Sequence, residues 1–338
     1  MSDVARAAGV SLGTVSNVLN RPDKVAPATR RRVEDAIATL GFVRNGAARS
    51  LAAGRSTTLG FVVADLTNSF FTDMVRGVQE RAEAAGFKLL LADAGAEGER
   101  QGAYLDLFEE ERAAGILLAP RDDVAERVHH VRSRRVPIVL LNVPSGEAGL
   151  CAVETDNAHG GYLAAQHLIG LGRRRLLWAG PRHFRPTRER LSGVERAVSE
   201  AGGDVTLTVE VTRDVRVEDG RRVAETVHHL PPERRPDGVV AGADLLALGF
   251  VQVCQARGRL RIPDDVALVG YDNNREAWSS MVPITTLDQS GDEMGATAAD
   301  MLLDELGVRG RSREQHRHRT ARLEPVLVPR ASTLGREG

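Results

Sequence analysis

The residues near the N-terminus with the clearest chemical purpose are Leu12, Gly13, Thr14, Ser16 and Asn17, in the segment SLGTVSNVLN. At helical spacing Leu12, Gly13, Ser16 and Asn17 share one outward face, with Thr14 near its start. Such small, polar and slightly apolar groups are suited to touching base edges and thymine methyls in a major groove. Positive charge gathers around them. Residues 1–55 hold nine Lys and Arg against four Asp and Glu, a net +5, so a chain of net charge −1 leaves −6 for the remainder. A basic head on an acidic body fits a polyanion bound at one end only.

Other reactive side chains do not assemble into catalytic patterns. The chain contains no GxxxxGK[ST] or HExxH sequence, and its GxSxG match, Gly9–Gly13, joins two short helices instead of a strand and a helix, so no phosphate loop, nucleophile elbow or zinc-protease helix is expected and the chain does not read as an enzyme. The adjacent pairs His129–His130 and His228–His229 cannot both face one metal from one helix, and they read as solvated helix histidines. His316 and His318 fall in an arginine-rich stretch that reads as a surface connection. Cys151 and Cys254 give neither a disulfide framework nor metal-ligand spacing, so no metal or cofactor is expected, and a reducing cytoplasm fits. The longest apolar runs, Gly115–Pro120 and Val136–Leu141, are far short of a membrane span. Asp3 and Arg6 stand where a signal peptide would need its apolar core, so a cytoplasmic protein with no membrane partner is expected.

The elements that must position the reading face are short helices. Asp3–Ala8 is a predicted helix with Ser2 as N-cap, and Gly9 ends it because glycine tolerates positive φ. Ser11 caps a second helix, Leu12–Leu19, whose Val15, Val18 and Leu19 face the first. A third, Pro27–Leu40, packs Val33, Ala36, Ile37 and Leu40 inward and carries Arg30, Arg31 and Arg32 in its first turns. Two short helices joined by a glycine-containing turn form a helix-turn-helix.

The body, from Leu59 onward, alternates apolar strand-length runs with helical patterns. Strands are expected at Leu59–Asp65, Phe87–Asp93, Gly115–Ala119, Val136–Asn142, Arg175–Gly180, Val205–Val211, Gly238–Ala241 and Val266–Asp272. Helices follow each of them. That alternation implies parallel sheets covered on both faces, and so many elements divide naturally into two doubly wound lobes with a ligand in the cleft at the strand ends.

The segment DVARAAGVSLGTVSNVLN (Asp3–Asn20) resembles the N-terminal signature of the LacI/GalR family of bacterial regulators. So does TRRRVEDAIATLGFVRNGAARSLAAGRSTTLGFV, and the resemblance runs on to PVLVPRAST near the C-terminus. It implies an α-helical DNA-binding head at 1–44, a hinge helix and linker at 45–58, and an α/β two-lobed, periplasmic-binding-protein-like body at 59–331 that binds effector and dimerises. The N-lobe would comprise about 59–156 and 286–316, and the C-lobe about 157–283 and 320–331. The DNA-binding set so implied is Ser11, Leu12, Gly13, Thr14, Ser16, Asn17, Asn20 and Lys24, with Asn45, Ala48 and Leu51 in the hinge. The partner expected is a near-palindromic operator with a central CG step, held by a homodimer. Leu51 would wedge into the minor groove at the dyad, since one exposed leucine among alanines cannot build a core but can enter between base steps; the alternative is a helical linker with an incidental leucine.

The same resemblance assigns the cleft. Asn68, Phe70 and Phe71 in DLTNSFF match residues that stack on a sugar and bond its hydroxyls. Arg188 and Arg190 in TRERLSG match arginines that fork onto hydroxyls or a carboxylate, and Arg188→Ala is expected to abolish effector response. Asp272 in VGYDNN and Gln289 in TTLDQS match two further polar contacts, while Asn142 keeps part of a usual aspartate–arginine pair. Asp156 and Asn157 lie at the lobe crossover. Trp178 reads as core, and Trp278 as a cleft candidate. The chain departs from the family where Ala243–Asp244 replaces an asparagine–aspartate pair, Val215 replaces an aromatic, and Arg44 stands in place of a proline before the hinge. A carbohydrate effector is the expectation, and the thinner polar set admits a smaller or less hydroxylated ligand. A free transport protein of the same fold would have no use for the basic head.

Overall fold

The computed structural model describes residues 1–42, 56–95, 98–120, 125–144, 149–308 and 315–335. The chain divides into two compact units, Met1–Ser56 and Thr57–Gly338. In the first, helix α1 (Ser2–Ala8) closes on Gly9 at φ 62°, where the backbone turns left-handed as glycine permits. The N-cap of α1 is Met1 with no side-chain hydrogen bond, so Ser2 lies inside the helix rather than capping it. Helix α2 (Leu12–Asn20) is capped as expected: Ser11 Oγ accepts the Thr14 N–H at 3.1 Å. A 3₁₀ turn (Pro22–Lys24) leads to α3 (Pro27–Leu40). Val4, Ala5, Ala8, Val15, Val18, Val33 and Ala36 form the small core. Leu40, expected inside, is 48% exposed. After Gly41 reverses the chain, the Phe42 N–H bonds Ile37 O, and Phe42 packs against this core.

The second unit contains two sheets and a crossover pair of strands. Strands β1 (Thr58–Val63), β2 (Lys88–Asp93), β3 (Gly115–Leu118), β4 (Ile138–Leu141) and β5 (Cys151–Thr155) join a late strand, β11 (Thr320–Leu323). They form a parallel sheet in the order β11-β5-β4-β3-β1-β2. Strands β6 (Arg175–Gly180), β7 (Thr206–Val211), β8 (Gly238–Ala241) and β9 (Ala267–Val269) form the other, in the order β7-β6-β8-β9. Strand β10 (Thr286–Asp288) pairs antiparallel with β12 (Val326–Val328). Side chains alternate across β1: Leu59, Phe61 and Val63 enter one core layer, Val62 the opposite one.

Helices cover both faces: α4 (Ser69–Ala84), α5 (Gly98–Glu110), α6 (Ala125–Ser133), α7 (Asn157–Gly170), α8 (Arg185–Ala201), α9 (Val217–His229), α10 (Asp244–Arg257), the short α11 (Arg275–Trp278), α12 (Gly291–Glu305) and α13 (Ala331–Leu334). Three pairs of these helices cross through reciprocal glycines. A Cβ on Gly161 of α7 would stand 1.9 Å from Arg190 O, and one on Gly193 of α8 the same distance from Ala158 O. Gly77 and Gly295 do the same for α4 and α12, and Gly220 and Gly249 for α9 and α10. Backbones touch at these crossings, so each helix pair is locked in position against its sheet.

The two-lobed architecture agrees with expectation, but the lobe bookkeeping near the C-terminus does not. Thr320–Leu323, assigned to the C-lobe, pairs in register with Ala152–Thr155 at the edge of the N-lobe sheet. Thr286–Asp288, assigned to the N-lobe, pairs with β12, and Asp272 N donates to Leu287 O beside β9. Strands β5, β10, β11 and β12 were all absent from the periodicity reading. They are three to five residues long, and such segments carry too little pattern to separate from loop. Among the described residues no helix is long and apolar enough to cross a membrane.

Candidate functional site

A cleft between the two lobes is lined from both sides at the C-terminal ends of the strands. Ala64 and Asp65 follow β1, Pro120 follows β3 and Asn142 follows β4. Across from them, Phe184, Pro186, Thr187 and Arg190 come from the entry to α8, Val215 precedes α9, Ala243 caps α10 and Asp272 follows β9. Strand C-termini are where parallel sheets leave a crevice, because the connecting helices depart in opposite directions there. Asn68 caps α4 by accepting the Phe70 N–H at 2.9 Å, which sets the two aromatics of that turn on the cleft wall. The Phe70 and Phe71 rings lie 5.4 Å apart, tilted by 58°.

Arg190 organises the polar floor. Its Nε donates to Asn157 Oδ1 at 2.8 Å, and its Nη1 donates to Gly242 O at 2.6 Å and lies 3.5 Å from Asp272 Oδ1. Its guanidinium also lies 3.6 Å above the Tyr271 ring centroid. Asp272 sits at φ 110°, a strained conformation for a side chain with a Cβ. Three partners hold it there: Arg190, Asn68 Nδ2 at 3.1 Å and Gln289 Nε2 at 2.6 Å. The Asn68 bond joins the two lobes directly. Burial pushes the Asp272 carboxyl above the ordinary aspartate range, against the pull of Arg190 and its hydrogen-bond donors. Behind it Asp244 is also buried, and burial and then repulsion from Asp272 raise its pKa well above normal. Asp244 accepts the Asn274 N–H at 2.7 Å and the Thr286 hydroxyl at 2.8 Å, which makes it a brace for the Asp272 loop. Asn142 holds a left-handed φ of 63°, and its buried Oδ1 has no hydrogen-bond partner among the described residues. This unmet acceptor on the cleft wall can receive a ligand hydroxyl or amine.

Six of the eight expected effector residues line this cleft: Asn68, Phe70, Phe71, Asn142, Arg190 and Asp272. Arg188 does not. It is exposed, and its Nη1 donates to the backbone carbonyls of Arg182 at 3.2 Å and His183 at 2.9 Å. Two residues along a helix is a rotation of about 200°, so Arg188 and Arg190 cannot both point into one cleft. Gln289 is buried beneath the cleft and acts on Asp272 rather than lining the wall. Trp278 is 53% exposed and lies on a different surface depression with Asp73 and Arg275. Trp178 is core, as expected. The sequence reading missed Phe184, which puts an aromatic on the C-lobe wall. Its position two residues after Arg182, at the end of the β6 connection, was the available signal.

One histidine expectation fails. His228 is buried, its Nδ1 within 3.2 Å of Ala224 O, because α9 turns that face onto the C-lobe sheet. His316 and His318 do lie on a surface connection, exposed at Arg317, His318 and Arg319, but both rings also contact Cys151.

In the head, Leu12 is 53% exposed at the start of α2, and Ser11, Gly13, Asn17 and Asn20 are exposed beside it. Thr14 and Ser16 are half-buried; Ser16 Oγ accepts from Asn20 Nδ2 at 3.3 Å. Lys24 is exposed on the following turn. Val15 and Val18 anchor the opposite side of α2 in the core, so the reading face is presented on a rigid element. Asn45, Ala48 and Leu51 lie outside the described residues.

Two family models match the chain, one describing bacterial regulatory proteins of the lacI family at residues 1–45 and one describing periplasmic binding proteins and the sugar binding domain of the LacI family at 56–329. The ribose operon repressor of Escherichia coli (strain K12) is 31% identical over 98% of this chain and 99% of its own length. The HTH-type transcriptional repressor PurR of Klebsiella pneumoniae (strain 342) is 32% identical over 98% and 96%. The cellobiose complex of the transcriptional regulator CelR superposes with a TM-score of 0.70 at 32% identity, covering 98% of both chains. The lac repressor dimer bound to operator and the anti-inducer ONPF gives 0.78 at 27% identity, again over 98% of both. A helix-turn-helix head followed by a two-lobed body with its cleft at the strand ends, matched along nearly its whole length, places this chain in the LacI family of bacterial regulatory proteins.

Proposed function

We propose that the protein is a cytoplasmic homodimeric repressor, not an enzyme, whose affinity for a near-palindromic operator is set by a sugar or sugar-like metabolite bound between the lobes. The observation that carries the effector half of this reading is the cleft itself. Phe70 and Phe71 on one lobe and Phe184 on the other offer apolar faces. Asn142, Arg190 and Asp272 offer one unmet acceptor and a buried ion pair between them. Aromatic faces with a few convergent polar groups suit a ring bearing both C–H faces and hydroxyls. Relatives crystallised with cellobiose and with ribose support the same class. The operator half is carried by the exposed face of α2 on a basic head, with Asn45, Ala48 and Leu51 assigned to DNA in the hinge and Leu51 among them to the minor groove, and the operator-bound lac repressor dimer supports the dimeric state. The test is a thermal-shift screen with ribose, cellobiose and other small polyols, followed by operator titration with each hit. A ligand that raises the melting temperature and changes operator affinity at least tenfold is expected. Hits that leave operator affinity unchanged would separate the cleft from DNA control.

A further inference from the structure

We propose that Cys151, His316, His318 and Glu305 form a binding site for one divalent transition-metal ion of the zinc class. The four residues come from three places: Cys151 opens β5, Glu305 ends α12, and the histidines lead into β11. Cys151 is 165 and 167 residues from the histidines in sequence, so only the fold brings them together. Cys151 Sγ stands 3.2 Å from His316 Nε2 and 3.8 Å from His318 Nδ1. Glu305 Oε2 lies 3.9 Å from the former nitrogen and 4.0 Å from the latter. The sulfur and the two nitrogens all lie within 4.8 Å of one another.

A tetrahedral ion with bonds of about 2.0–2.3 Å places its donors roughly 3.3–3.7 Å apart. The sulfur–nitrogen separations of 3.2 and 3.8 Å and the carboxylate–nitrogen separations of 3.9 and 4.0 Å lie near that range, while Glu305 stands outside the cluster of the other three donors, so its carboxylate must swing toward Cys151 to close the cage. One thiolate, two imidazoles and one carboxylate are the borderline donors that select zinc or cobalt over calcium or magnesium. Charge favours the same occupant. A thiolate and a carboxylate neutralise a dication, so the filled site adds no net charge to a place where Cys151 is fully buried and the His316 and Glu305 side chains are 4% and 13% exposed. An adjoining cavity lined by Glu305 and His318 opens a path from solvent. Arg132 and Arg135 also line it and oppose a hydrated cation, so affinity must come from the four inner donors. Bound metal would fasten the connection entering β11 to β5 and to the end of α12, closing the edge of the N-lobe sheet.

The test uses untagged full-length protein, reduced and stripped with chelator, then titrated with Co²⁺. One cobalt per chain is expected, with the intense visible absorption of a tetrahedral ion, a near-ultraviolet thiolate-to-cobalt band, and displacement of both by Zn²⁺. Zn²⁺ in about hundredfold excess over its Kd should raise the melting temperature by about 5 °C. Cys151→Ser should abolish the thiolate band. His318→Gln, at a side chain already 32% exposed, should keep the metal-free melting temperature and weaken cobalt binding at least tenfold. This second variant carries the test if loss of the buried thiol prevents folding. A weak octahedral spectrum, a thiolate band retained in Cys151→Ser, or equal cobalt affinity in His318→Gln would each overturn the site.

Discussion

Arg190 and Arg188 are two residues apart and belong to different environments. Arg190 spends its donors on Asn157, Gly242 O and Asp272 inside the cleft, whereas Arg188 bonds two backbone carbonyls at the surface. Removing one member of a buried pair leaves the other charge uncompensated, at a cost of about 3–5 kcal/mol. Arg190→Ala should therefore lower stability by roughly that amount and abolish the effector response. Arg188→Ala should cost under about 1 kcal/mol and leave the response intact. Denaturant melts and operator titrations on both variants distinguish the two, and a lost response in Arg188→Ala alone would reverse the assignment. Asp244 makes a second, pH-dependent statement. Its folded pKa is raised by burial and by Asp272, so the folded chain holds a proton that the unfolded chain releases near pH 4. The stability this contributes is fully present below that point and is lost as pH rises through the raised folded value. Asp244→Asn should flatten the fall in melting temperature over that window, because its carbonyl can still accept the Asn274 N–H and its amide can face the Thr286 hydroxyl. A melting curve against pH that is unchanged by the substitution would show that Asp244 is not the group responsible.

At the scale of elements, the α7–α8 crossing decides where Arg190 sits. Its carbonyl lies where a Gly161 Cβ would be, so Gly161→Ala must push α8 away from α7. Overpacking of this kind costs about 1–3 kcal/mol, and here the shift also moves Arg190 off Asp272. We expect a lower melting temperature together with an effector affinity reduced at least tenfold. Gly170→Ala, where nothing lies within 4 Å of an added Cβ, should show neither effect. In the head, Ser11 caps the reading helix through the Thr14 N–H. Ser11→Ala should cost about 1 kcal/mol of head stability and weaken operator binding, and Ser11→Asp should restore the stability, as measured by thermal melts beside operator titrations.

On the scale of the whole molecule, charge separates non-specific from specific DNA binding. The +5 head supplies a salt-dependent phosphate term, to which an apolar Leu51 adds nothing. Leu51→Ala should therefore weaken operator binding far more than binding to scrambled DNA, with the salt slope on both unchanged. Replacing the central CG step should mimic it, and the two changes together should cost less than their sum because both remove one interaction. Equal losses on both DNAs would mean that Leu51 only holds the linker together. A homodimer at micromolar concentration is expected from the same two-fold logic, and light scattering checks it.

What the sequence determined by itself was whatever depends on local order along the chain. The Gly9 turn, the Ser11 cap and the 3.6-residue stripe of Val15 and Val18 are short-range features, so the helix-turn-helix was legible, as were the long strands and helices of the two lobes. The residues at strand ends were legible for the same reason, since a parallel sheet puts its crevice there whatever its sequence. Tertiary structure alone decided which side chains on those ends point inward. The helix phase separating Arg188 from Arg190, the burial that makes Asp244 a brace, and the placing of Gln289 beneath the cleft depend on how α8 and the Asp272 loop pack. Strand β11 joined the N-lobe sheet because Ala152–Thr155 offered an open edge, and no local pattern in Thr320–Leu323 records which edge that is. The same pairing brings His316 and His318 to Cys151. Contacts between residues so far apart in the chain are set by packing, which the linear order does not encode position by position.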